Sequence, residues 1–548
     1  MAGLCLASLA VTAFAGGAAR AGAPELRIRQ GILGGSAEAD GRIVAYKGIP
    51  YAEPPVGDLR WRPPVPARGW AGVRDATAFG HACLQPPPAP ASVYYDRMAS
   101  PSEDCLTLNV WAPAGGGHLP VMVWIHGGAL SGGGSSEPLY DGARLARQGI
   151  VVVSINYRLG LLGFLAHPAL SAESPRHLSG NYGLLDQIEA LRWVRDNIAA
   201  FGGDPARVTI AGESAGGLSV YALLASPLAR GLFDKAISES GYMPAYRALH
   251  DKTLGLDSSE DMGAALAKAA GASTAAELRS ADLATLFKAG LATGWAPEPV
   301  IDGVFLKRQI ADTFARGEQA RVPVLAGFNE GEIRSLLFLM PRAPATQAAY
   351  VADVRARFGA QADAYLAVYP GADPKADVMA SVRDGLYGWA AQYAVRRAAA
   401  AGQPAYLYFF RHSTPAERER DLAAFHASEL PYVFGQVGAS APLGPNWPKP
   451  PLTAGEARLS DAMLGYWASF VRTGAPAAPG APAWPRFTAG RPGYLDIGDQ
   501  PVARLGIQPA AYGWADALVA ERLRQGREWR YNIGFSAFPA QDPSARAQ

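Results

Sequence analysis

The pentapeptide Gly212-Glu213-Ser214-Ala215-Gly216 sets one serine between two glycines, each two residues away. That spacing suits a tight strand-to-helix turn that holds a serine hydroxyl out for attack on a carbonyl. In a chain with 62 glycines the pattern alone is weak. Its context strengthens it: residues 207–211 (RVTIA) read as a short strand, and an apolar helix follows over about 215–225. The start of that helix would aim backbone N–H groups at the same place.

A serine hydroxyl is a poor nucleophile until a base takes its proton. In a turn of this kind the partners follow in chain order, acid before histidine. Among 8 histidines, only His412 and His426 lie far enough beyond Ser214 for an acid-bearing strand to intervene, since His250 is too close. His412 directly ends the apolar run 405–410 (AYLYFF), whereas His426 lies in the loop beyond it. A loop past a strand end can carry a base over the sheet edge, which favours His426. For the acid, the strand 322–327 (VPVLAG) runs into Glu330 and Glu332. Either carboxylate could hold an imidazole in the required tautomer and stabilise its cation.

The oxyanion formed during attack needs backbone N–H donors. Residues 126–134 (HGGALSGGG) follow the apolar strand 121–125 (VMVWI), the position such a loop takes in lipases and esterases. No Cys, His or carboxylate cluster has metal-ligand spacing, and there is no phosphate-cradling loop. The chemistry implied is acyl transfer without a metal or cofactor.

Several elements must position these groups. The continuous apolar runs at 121–125 and 150–155 suit central strands of a parallel sheet covered on both faces. Leu184, Ile188, Leu191, Val194 and Ile198 recur at helical spacing, and residues 201–205 (FGGDP) stop the helix. Residues 235–240, 323–326 and 405–410 read as further strands, and 456–472 as an amphipathic helix. The alternation implies an α/β fold with a large, mostly parallel sheet flanked by helices. The helical, Ala-rich stretches 245–320 and 335–400 read as insertions roofing the site.

The chain has 548 residues, 49% of them hydrophobic, which is ample for a large core. No linker, repeat or charge run marks a boundary, so residues 24–548 read as one domain. Lys+Arg 50 against Asp+Glu 48 gives a net charge of +2, and no basic cluster with interleaved aromatics points to nucleic acid. Residues 1–23 begin with a short apolar stretch and end in Ala-Arg-Ala and Ala-Gly-Ala, as in a secretory signal peptide, although no Lys or Arg precedes the apolar stretch. Export to the periplasm or medium is therefore expected, with no later stretch long enough to span a membrane. Cys5 falls in the leader, which leaves Cys83 and Cys105. In an exported protein such a pair reads as a disulfide closing a Pro-rich loop.

The motifs together resemble the type-B carboxylesterase/lipase family, the group that includes the cholinesterases. The resemblance runs from about residue 27 to 535. It rests on residues 46–61 (YKGIPYAEPPVGDLRW), 102–111 (SEDCLTLNVW), 180–187 (GNYGLLDQ), 201–217 (FGGDPARVTIAGESAGG), 299–303 (PVIDG), 425–435 (FHASELPYVFG) and 466–476 (YWASFVRTGAP). It implies an α/β-hydrolase fold and a carboxylic-ester hydrolase acting on small-molecule esters through an acyl-enzyme. Similar enzymes place the catalytic histidine before Y-V-F-G, which implies His426. Their acid sits in a motif like G-x-N-x-D-E-G, which falls here on Glu332, with Gly331 and Ile333 replacing the usual Asp and Gly. The oxyanion donors implied are Gly128, Ala129 and Ala215. The family's first disulfide corresponds to Cys83–Cys105, and its other disulfides are absent, as in bacterial-looking members.

In relatives the residues just before P-V-I-D-G line the acyl pocket, commonly with aromatic rings. The matching positions hold Thr293 and Trp295, which makes Trp295 a candidate limit on acyl size; the alternative is a core tryptophan. Two other functions compete. A recognition domain that keeps the fold without catalysis would be expected to lose triad positions, and all three are filled here. A hydrolase of amides or carbamates would use the same triad.

Overall fold

A computed structural model describes residues 24–530, other than 97, 99 and 439. The expected leader, 1–23, and the tail of the expected domain, 531–548, lie outside the described residues. A 12-stranded sheet organises the chain. Its strands are β1 (Ser36–Ala37), β2 (Ile43–Pro50), β3 (Thr107–Pro113), β4 (Leu119–Ile125), β5 (Val151–Ile155), β6 (Gly203–Glu213), β7 (Lys235–Glu239), β8 (Val324–Asn329), β9 (Ala405–Phe410), β10 (Phe487–Thr488), β11 (Arg491–Ile497) and β12 (Pro501–Leu505). Across the sheet they run β10-β11-β9-β8-β7-β6-β4-β5-β3-β2-β1, with β12 beside β11. From β5 to β11 neighbours are parallel, and both edges are antiparallel.

The apolar runs are explained by what covers each face. Side chains alternate across a strand. In β4, Val121, Val123 and Ile125 enter one core, while Met122 and Trp124 enter a second on the opposite face. Val151 and Val153 in β5 pair with Val152 in the same way. Burial on both faces favours apolar residues along each strand, and the one polar side chain in β5, Ser154, is buried with its hydroxyl donating to Ser135 O at 3.1 Å.

The helices stand close to where periodicity places them: Tyr182–Asn197, Ala215–Ala225 and Ala454–Thr473. Helix Ala215–Ala225 is buried along its whole length and is apolar all round. The two insertions are helical, including Ser259–Ala269, Leu283–Thr293, Gln347–Phe358 and Trp389–Ala400. Cys83 and Cys105 are joined in a disulfide with Cα atoms 4.9 Å apart. Among the described residues no helix is long and apolar enough to cross a membrane. An open, largely parallel sheet with helices on both faces and helical insertions is the α/β-hydrolase architecture.

Candidate active site

The carboxyl ends of the central parallel strands lie along one edge of the sheet, where open α/β sheets place their ligands. Each supplies one component. β4 leads into the Gly-rich loop, β6 into Ser214, β7 into Ser240, and β8 into Glu332.

Ser214 links β6 to helix Ala215–Ala225 with φ 57° and ψ −119°. This is sparsely populated space for a residue with a Cβ, and such strain costs of order 1–3 kcal/mol. Its backbone N–H donates to Glu239 O at 2.9 Å. The flanking glycines are dictated by close approach. A Cβ on Gly216 would sit 2.0 Å from Ile125 O, and one on Gly212 would sit 2.6 Å from the same oxygen. The turn therefore locks against the end of β4, and Ser214 keeps partial exposure.

In the Gly-rich loop Gly128 and Ala129 are exposed, with φ of 101° and 54°. Their N–H groups have no protein acceptor among the described residues. Ala215 opens the helix, so its N–H has no intrahelical partner. Three unpaired donors beside the serine suit a developing oxyanion.

Glu332 and His426 are brought into contact. His426 Nδ1 lies 2.5 Å from Glu332 Oε2, so Nδ1 carries the proton and Nε2 is left as the basic nitrogen. Glu332 is fully buried. Its Oε1 accepts from Ser240 Oγ at 2.6 Å and from Asn329 N at 2.8 Å. Three donors on one carboxylate fix its orientation. Glu330, by contrast, is exposed, and only its backbone is engaged, its N–H donating to Phe410 O at 2.9 Å. Gly331 lies so close to the histidine loop that a Cβ there would sit 2.6 Å from Leu422 O, and its N–H donates to Ala424 O at 2.7 Å. The departure from the family pattern at this position is thus filled by backbone.

The Ser214 hydroxyl makes no hydrogen bond to His426 in this structure. His426 Nε2 lies 3.0 Å from Glu213 Oε1, without the alignment of a hydrogen bond. Glu213 is buried, and burial first, then the charge of Glu332, hold its carboxyl well above the ordinary range. Both causes disfavour the ionised form of Glu213 beside the imidazole. Catalytic hydrogen bonds are often loose before substrate arrives. Glu429 is likewise buried and pushed up to about 8 by burial and then by Glu213 and Glu332, and Asn329 Nδ2 donates to it at 2.5 Å. Asn329 thus braces Glu332 through its backbone and Glu429 through its side chain.

Two tyrosines grip the imidazole. Tyr387 lies against it at 5.0 Å between ring centroids, tilted by 34°. It comes from the single π-helical turn Asp384–Gly388, a distortion common at functional sites. Tyr94 approaches edge-on at 6.4 Å, and its hydroxyl donates to His426 O at 2.9 Å while meeting Ser335 Oγ at 2.6 Å. Neither tyrosine, nor Ser240, stands out in the sequence. For Ser240 the one available signal was its place directly after the central parallel strand β7.

His412, the rival base, belongs to a different cluster. Its Nε2 meets Glu456 at 3.0 Å, its Nδ1 meets Asp499 at 2.8 Å, and Tyr432 OH donates to Glu456 at 2.6 Å. Burial pulls the imidazole down, but the Glu456 and Asp499 contacts outweigh it and the net shift is upward. A histidine whose folded value is raised adds stability that is complete below its unfolded value of about 6.5 and lost as pH rises through the folded one. His412→Asn should therefore lower Tm clearly at pH 6 and only slightly at pH 9, as read by thermal unfolding; an equal loss at both would remove the ionic role. His250 pairs with Glu260 on the surface at 2.9 Å.

Thr293 turns its hydroxyl back to Ala289 O at 2.9 Å. Trp295 is half-buried and lines a small cavity with Phe164, Ala166, Arg247, Met262, Glu298 and Val300. The triad positions are not among its walls.

A partly exposed serine on a strained turn, a buried His–Glu pair beside it and unpaired N–H donors on an α/β-hydrolase sheet define a serine hydrolase. A model of the carboxylesterase family matches residues 22–513. A fumonisin B1 esterase of Sphingopyxis macrogoltabida is 39% identical over 483 residues, 86% of each chain. A para-nitrobenzyl esterase of Bacillus subtilis is 38% identical over 470 residues, 81% of this chain and 88% of that one. A solved PNB esterase structure matches with TM-score 0.77 at 32% identity, covering 90% of this chain and 99% of the other. The chain belongs to the carboxylesterase family and is a serine carboxylic-ester hydrolase.

Proposed function

We propose that the enzyme works through a Ser214–His426–Glu332 triad and an acyl-enzyme intermediate. The observation that carries this reading is the 2.5 Å contact between His426 Nδ1 and Glu332 Oε2 beside the Ser214 turn. Rotation of the Ser214 side chain toward Nε2 completes the proton path. His426 takes the serine proton as Oγ attacks the ester carbonyl. The N–H groups of Gly128, Ala129 and Ala215 receive the oxyanion, and His426 then protonates the departing alcohol. Water, activated by the same imidazole, releases the acid. The chain's own groups supply every proton transfer, so the mechanism draws on no cofactor.

On the acyl side, Trp295 is read as the wall that limits chain length. Pocket contacts discriminate by only about 1–3 kcal/mol per methylene, but a rigid indole excludes by overlap. The test uses acetate, butyrate and octanoate esters of one alcohol, with a matched anilide as the amide control. Wild-type enzyme should turn over the esters and spare the anilide; preferential anilide cleavage would replace the esterase reading by an amidase one. In Trp295→Ala, kcat/KM for octanoate should rise relative to acetate. A lower Tm with unchanged chain-length ratios would assign Trp295 to the core.

A further inference from the structure

We propose that Gln85 is a positioning residue for the oxyanion site, and that the Cys83–Cys105 loop bears on catalysis through it. This rests on the esterase reading above. Gln85 stands two residues after Cys83 and is 8% exposed. Both ends of its amide grip one residue of the Gly-rich loop. Gln85 Nε2 donates to Gly133 O at 2.8 Å, and Gln85 Oε1 accepts from Gly133 N at 2.8 Å. The same Nε2 donates to Cys83 O at 2.9 Å.

Gly133 is where a hold on this loop has most leverage. Its φ is 94°, and a Cβ there would sit 2.7 Å from both Gly127 O and His126 Nδ1. The chain has folded back over its own start. Gly128 O accepts from Ser131 N and Gly132 N, each at 2.9 Å, so residues 128–132 form one closed turn, which Gly133 follows directly. The opposite side is tied to the body of the protein, where Tyr157 OH donates to His126 O at 3.0 Å and Gly160 N to Leu130 O at 2.7 Å. Gln85 is the matching tie on the open side. The second cysteine reaches the same segment, since Asn156 Nδ2 donates to Cys105 O at 3.1 Å and Asn156 Oδ1 accepts from Ser135 N at 2.8 Å. Both halves of the disulfide are thus one side chain away from residues 133–135. The loop carries Gly128 and Ala129, whose donors act only if they face the developing charge, and misplacement by about 1 Å costs on the order of 100-fold in rate.

The amide cannot be imitated. Glutamate would set a carboxylate against Gly133 O, and methionine keeps the volume while losing all three hydrogen bonds. Gln85→Met and Gln85→Glu should each lower kcat by about 10- to 100-fold with KM within about twofold, the pattern of an interaction made only in the transition state. Affinity for a trifluoromethyl ketone, which presents an oxyanion to the site, should fall in parallel, a loss that a purely structural role would not produce. The Cys83→Ala/Cys105→Ala double variant should show the same kinetic loss, and adding Gln85→Met to it should lower kcat little further, as expected of residues acting as one unit. Unchanged kcat and analogue affinity in both Gln85 variants would overturn the role, as would a loss confined to KM. Fully additive losses would overturn the link to the disulfide. Wild-type enzyme that fails to bind the ketone would remove the esterase reading itself, and the positioning role with it.

Discussion

Ser214→Ala should leave a folded protein whose kcat on any ester is lower by on the order of 10⁶, the cost of removing a triad serine in this chemistry. The fold should survive because alanine keeps the Cβ and the hydroxyl makes no hydrogen bond that the turn depends on. Backbone strain at φ 57° is the same for both residues. A fluorophosphonate probe should label the wild type at Ser214 and leave the variant unlabelled. Turnover within tenfold of wild type, from a protein freed of contaminating esterase, would end the triad proposal.

The second large effect separates two glutamates two residues apart. Glu332→Gln should slow kcat by about 10⁴, the size of loss when the orienting carboxylate becomes an amide. The cause is the tautomer. An amide that satisfies Ser240 and Asn329 through its oxygen must turn its NH₂ toward His426 Nδ1. The imidazole then carries its proton on Nε2, where it cannot accept the serine proton. Glu330→Gln should change kcat by no more than about twofold, since exposed substitutions away from such networks stay within about 0.5 kcal/mol. Steady-state kinetics on both variants with one activated ester measures the contrast, and the reverse ranking would move the acid to position 330.

Much of this scaffold was legible because it obeys local rules. The β4 and β5 strands announce themselves by dense apolar runs, and the elbow by glycines that meet Ile125 O too closely for any side chain. The site was legible only in part. Spacing could not separate His412 from His426, because both follow the same strand; what distinguishes them is that Glu456 and Asp499 surround one and Glu332 the other. Glu330 and Glu332 differ by which way a loop turns after β8, which depends on Gly331 packing on residues 422–424, nearly a hundred positions later. Tyr94, Tyr387 and Gln85 were silent for the same reason. Their roles arise from contacts between segments far apart in the chain, and a lone Tyr or Gln in a loop has no periodicity to betray it.

The close approach of the elbow to Ile125 also separates two histories that a sequence can undergo. Gly212 and Gly216 answer to assembly of the sheet, and any larger residue there is rejected before a substrate is ever met. Ser214 answers only to chemistry. Its replacement by glycine would even relieve a strained backbone, by about 1–3 kcal/mol. Catalysis on this frame is therefore detachable. A lineage relieved of selection for hydrolysis can shed the nucleophile at no structural cost while its glycines persist.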